Sequence, residues 1–70
     1  MVFERVTLPV ARKIVNLTQK QLAVKVGVSE STVYKWEKGK SEPTVSQAQL
    51  VADACERPLD SIIFLRSDTV

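Results

Sequence analysis

The twenty residues from Gln19 to Lys38 constrain this chain more than any other stretch. They read as two helices of about eight residues each, joined by the tight turn Gly27-Val28-Ser29. Thr18-Gln19-Lys20-Gln21 is a capping-box pattern, in which the Thr18 hydroxyl takes the third N–H of the helix while Gln21 reaches back. Gly27 stops that helix, because glycine accepts the positive φ a sharp turn needs. Ser29 then caps a second helix, and Gly39 ends it after Lys38. Leu22, Ala23 and Val26 share one face of the first helix, and Val33 and Trp36 share one face of the second. With Val28 they fill the wedge of two crossing helices, and Ala23 must be small where the second helix passes over it.

The outward side of the second helix is just as informative. At about 100° per residue, Ser31, Lys35, Lys38 and the nearby Tyr34 fall opposite Val33 and Trp36. An exposed stripe of donors and amphipathic side chains is what a helix reading a nucleic-acid groove needs. Glu30, Ser31 and Thr32 occupy the first turn, the part that reaches base edges in such helices. Glu37 sits at the edge of the buried side, away from the stripe. Each residue also has a plainer reading. Lys35, Lys38 and Lys40 also fit a solvated face, and Tyr34 an ordinary exposed ring. Glu30 either accepts from a cytosine amine or favours the helix N-terminus by its charge. Trp36 is read as a core anchor rather than a stacking platform.

The flanks complete an all-α reading. Residues 1–8, with Val2, Phe3 and Val6, form a strand or an extended arm. Pro9 opens a helix running to about Val15, with Val10, Ile14 and Leu17 directed inward. Thr44 and Gln47 form a second capping box, starting a helix that offers Ala48, Val51, Ala52, Ala54 and Cys55 to the core. Pro58 restarts a short fifth helix carrying Leu59, Ile62, Ile63 and Phe64. The expectation is a five-helix orthogonal bundle: one domain over residues 9–66, with residues 67–70 frayed.

Charge divides unevenly along the chain. Residues 12–40 hold seven bases against Glu30 and Glu37, a balance of +5, whereas residues 41–70 carry −3. A basic first half and an acidic second half suit one face for a polyanion and another turned away from it. Catalysis finds little support: there is no histidine, no cysteine cluster for zinc and no glycine-rich phosphate loop. No metal, no cofactor and no enzyme activity are expected. The single cysteine, Cys55, lies among apolar neighbours and reads as a buried, inert thiol in a reducing compartment. The longest apolar run is Ile62 to Leu65, far short of a membrane span of about 20 residues. The first twenty residues include Glu4, Arg5, Arg12, Lys13 and Lys20, with no apolar core of a secretory signal. A cytoplasmic protein without a membrane partner is expected.

The segment LTQKQLAVKVGVSESTVYKWEKGKSEPT resembles the phage repressor and Cro-like (XRE-like) family of helix-turn-helix domains, with LTQ, LA, VGVS and WEKGK.EP in their expected order. The likeness covers about residues 9 to 64. It implies five helices, a homodimer and a pseudo-palindromic operator in double-stranded DNA. By this resemblance Thr18 and Gln19 meet the phosphate backbone, where the helix N-terminus presents free N–H groups. Base readout falls to Glu30, Ser31 and Lys35, flanked by Thr32 and Tyr34. Lys38, Lys40 and Ser41 become phosphate contacts beyond the recognition helix, and Arg12 pairs with Glu37 inside the fold. Two departures stand out. Asn16 replaces a usual glycine, tolerably because asparagine accepts a left-handed conformation. Arg57 replaces a usual aliphatic residue, which points to a looser or solvent-facing corner.

The resulting expectation is a sequence-specific DNA-binding transcriptional regulator. It would be a repressor of phage or prophage type, acting by operator occupancy. The alternative is an antitoxin-like module that binds a small protein partner on the same scaffold. Its motive is the apolar run at Ile62 to Leu65 and the acidic second half.

Overall fold

A computed structural model describes residues 3–64. In order, the elements are β1 (Val6–Thr7), α1 (Leu8–Ile14), α2 (Gln19–Val26), α3 (Glu30–Lys38), α4 (Val45–Ala54), a 3-10 turn (Leu59–Ser61) and β2 (Ile62–Ile63). Local chemistry explains most of these boundaries. Both capping boxes are closed: the Thr18 hydroxyl accepts from Gln21 N–H at 3.0 Å, and that of Thr44 from Gln47 N–H at 3.1 Å. In return, Gln21 and Gln47 each accept the backbone N–H of their cap residue at 2.9 Å. Ser29 caps α3 through Thr32 N–H. Gly27 ends α2 at φ 88°, and a Cβ there would meet nothing within 4 Å. Its requirement for glycine is therefore one of backbone conformation alone.

α1 faces differently from the sequence expectation. Leu8 and Ala11 are buried, whereas Val10 and Ile14 are 46% and 59% exposed. Arg12 supplies the reason. Its guanidinium turns inward to an acid on α3, which fixes the rotation of α1. Residues 8, 11, 12 and 15 then line the inner side, and 10 and 14 fall opposite. Leu17 does pack against the core. Asn16 takes φ 59° as the chain leaves α1, and Leu17 N–H closes on Arg12 C=O at 3.1 Å.

The fifth helix is absent among the described residues. Pro58 holds an extended ψ of 148°, and only the 3-10 turn Leu59–Ser61 follows before the chain extends into β2. Ile62 and Ile63 are stiff at χ1 and suit a strand. They pair in parallel with Val6 and Thr7, which puts Ile62 in the core and leaves Ile63 at the surface. Residues 6–7 of the N-terminal segment are thus a strand. The expectation of fraying at residues 67–70 lies outside the described residues.

Arg57 is not a loose corner. Its Nε donates to Ser61 Oγ at 2.8 Å, its Nη2 donates to the Glu4 carbonyl, and the guanidinium stacks 5.4 Å from the Phe3 ring centre. Ser61 Oγ passes its own hydrogen to Pro58 C=O at 2.6 Å. These contacts and the β1–β2 ladder clasp the start of the described chain to its end. Glu56, left-handed at φ 59°, carries the chain from α4 into this clasp.

One core joins all four helices to β2: Leu8, Ala11, Leu22, Ala23, Val26, Val33, Trp36, Val51, Ala52, Cys55 and Ile62. α2 lies at its centre, packed on both α3 and α4. Among the described residues no helix is long and apolar enough to cross a membrane.

Candidate nucleic-acid interface

The rotation of α3 is set by what it buries. Val33 is fully covered, Trp36 is 2% exposed and Glu37 is 7% exposed. Trp36 is therefore a core anchor. The opposite side is open: Glu30, Ser31, Tyr34, Lys35 and Lys38 are all exposed. Lys38 Nζ lies 5.7 Å from the centre of the Tyr34 ring, so the cation is held beside that aromatic face. Thr32 is half-buried. Its hydroxyl and that of Ser31 lie within 2.9 Å and 3.1 Å of Ser29 Oγ, making a small hydroxyl cluster at the start of α3.

Thr18, Gln19 and Glu30 come together at one open cleft, which Arg12, Lys13, Asn16 and Leu17 also line. Thr18 is exposed, with its hydroxyl committed to the cap. The N–H groups of Gln19 and Lys20, in the first turn of α2, have no partner within the helix and form its positive end. Lys38, Lys40 and Ser41 lie at the far end of α3, where Lys40 N–H closes on Lys35 C=O at 2.9 Å. Lys40 is exposed and Ser41 half-buried.

Beneath this surface runs a buried ionic network. Glu37 Oε2 accepts from Arg12 Nε at 2.7 Å, and Glu37 Oε1 accepts from Arg12 Nη2 at 3.3 Å. Arg12 Nη1 donates to Leu17 C=O at 2.8 Å, and Gln19 Nε2 donates to Glu37 Oε1 at 2.9 Å. The pair is nearly dry, with side chains 11% and 5% exposed. Sequence reasoning missed the Gln19 bond and the presence of Lys13 and Asn16 at the cleft. The signal for Lys13 was available. Once Arg12 points inward, its neighbour lies about 100° round the helix, toward the rim.

Burial pushes the Cys55 thiol above its ordinary value, with Arg57 and Arg12 partly opposing the shift. A buried, protonated thiol is unreactive. No group of three or more His, Cys, Asp or Glu among the described residues is placed to hold a metal.

Two short crossing helices, a glycine turn between them and a second helix pinned by one side define the helix-turn-helix class. Residues 11–62 match the helix-turn-helix family model, and the chain belongs to that family, in its XRE-type branch. It is also 37% identical over 51 residues to the cryptic phage CTXphi transcriptional repressor RstR of Vibrio cholerae serotype O1. That match takes in 73% of this chain but 46% of the relative, so the chain spans about half the relative's length.

Proposed function

We propose that this protein is a sequence-specific, double-stranded-DNA-binding transcriptional regulator. It represses as a homodimer by occupying a pseudo-palindromic operator, in the manner of phage and prophage repressors. The observation that carries the reading is the exposed α3 stripe of Ser31, Tyr34, Lys35 and Lys38, with Val33 and Trp36 held beneath it. The family membership and the RstR relative, itself described as a transcriptional repressor, support it.

In this reading α3 enters the major groove. Glu30, Ser31 and Lys35 address base edges, with Thr32 and Tyr34 flanking. Thr18 and Gln19 meet the backbone at the positive end of α2, and Lys38, Lys40 and Ser41 meet it beyond α3. In a homodimer the two α3 helices would lie about 34 Å apart, one turn of DNA. Self-association has an apolar surface to draw on, since Val45 is 83% exposed beside a groove lined by Pro43, Ala48, Leu59 and Phe64.

Selection of bound duplexes from a random pool tests the proposal, and two-fold symmetric winners are expected. Lys35→Ala should change base preference, costing about 1–3 kcal/mol at its base pair. Lys40→Ala should weaken all duplexes alike and lower the salt slope by about one. Unchanged affinity in both variants would place the binding face elsewhere. The antitoxin-like alternative loses part of its motive, because Ile62 is spent in the core.

A further inference from the structure

We propose that Glu37 is a positioning residue for the DNA-backbone contact of Gln19, acting without touching DNA itself. The proposal rests on the reading of Gln19 as a phosphate contact. Arg12 alone offers a donor to each carboxylate oxygen of Glu37, Nε to Oε2 and Nη2 to Oε1. The 2.9 Å bond from Gln19 Nε2 is therefore additional to a complete ion pair. An ionised carboxylate only accepts hydrogen bonds, so it dictates which way the Gln19 amide faces. The nitrogen turns inward. Its second hydrogen and the amide oxygen are left for the open cleft that Gln19 lines with Thr18.

An unrestrained glutamine on a helix surface samples many rotamers, and binding would have to freeze them. Here the conformation is set during folding, before any duplex arrives, and a preorganised group binds more tightly for that reason. The geometry also joins two tasks. Glu37 belongs to α3, while Gln19 is the first residue of α2. One buried carboxylate thus holds the phosphate contact in fixed register with the base-reading helix, and Arg12 anchors that carboxylate to α1.

The test uses the full chain and a duplex recovered from the random pool, resynthesised with single neutral methylphosphonates along its backbone. Wild type should lose about tenfold in affinity at one phosphate per half-site. Gln19→Ala should cut that loss to about two- to threefold, the remainder belonging to the α2 backbone N–H groups, which alanine keeps. Glu37→Gln should reduce the same loss to about two- to threefold and leave the losses at other phosphates unchanged. A purely structural Glu37 would instead lower the melting temperature and leave the tenfold loss intact in the folded protein. That result overturns the proposal alone. Failure of wild type to bind any duplex overturns the functional reading beneath it. A measurement on unmodified, DNA-free protein covers the case in which Glu37→Gln does not fold. The 15N order parameter of Gln19 Nε2 should approach the rigid-backbone value of about 0.85, and a value under about 0.6 sinks the idea.

Discussion

The α2–α3 unit and the clasp between the two ends of the described chain are both short, yet they are held by different means. In α2–α3 each start and stop is settled within a few residues: Thr18 with Gln21, Ser29 with Thr32, Gly27 N–H with Ala23 C=O. The clasp has local bonds as well, Arg57 with Ser61 and Ser61 with Pro58, but they do not reach the N-terminal segment it holds. Arg57 reaches the Glu4 carbonyl across 53 positions of sequence, and β1 meets β2 only because the core has already brought them together. Local bonds make the α2–α3 unit self-defining, and distant ones make the clasp an outcome of the whole fold.

The largest expected effect tests where the local unit is fastened to the rest. Glu37→Ala strands the Arg12 guanidinium in a nearly dry site and should cost about 3–5 kcal/mol in denaturant unfolding. A cost under about 1 kcal/mol would mean that caps and packing suffice, and that α2–α3 needs no ionic tie to α1. Next comes the crossing itself. Ala23 is 2% exposed, and Ala23→Leu should overpack the α2–α3 contact by about 1–3 kcal/mol in the same assay.

On the other side of the comparison, Arg57→Ala should cost only about 1 kcal/mol, since Ser61 Oγ keeps its bond to Pro58 C=O. Amide chemical shifts should change at Glu4, Val6 and Thr7 and stay put in α2 and α3. Equal disturbance of both regions would erase the distinction drawn between them. The smallest effect concerns pH. Burial raises the Cys55 thiol above its ordinary 9.0, so the unfolded chain ionises first as the pH climbs. Stability attributable to this group is therefore whole below pH 9 and lost as pH rises through the folded-state value. The slope is at most about 1.4 kcal/mol per pH unit, and Cys55→Ala should remove it.

The same contrast explains what the sequence made legible. The limits of α2 and α3, and the start of α4, could be read because caps and glycine stops are written in adjacent residues; α4 ends without a glycine, at Cys55 before the left-handed Glu56. The inward face of α3 followed from Val33 and Trp36 alone. The face of α1 did not. Val10 and Ile14 have the spacing of a core stripe, but the Arg12 pair with α3 outweighs them and turns them to solvent. β2 was invisible for another reason: two residues carry no periodicity, and Pro58 is as compatible with a 3-10 turn as with a helix. At the cleft, Gln19 could be named as a backbone contact from the resemblance, but its bond to Glu37 could not, because that partner lies 18 positions away.

The parallel ladder has a kinetic consequence. Pairing Val6 with Ile62 closes nearly the entire described chain into one loop, so the pairing gains nothing until the helices have met. It should belong to the last stage of folding, after the transition state. Substitutions in the ladder would then hasten unfolding and leave the folding rate almost untouched.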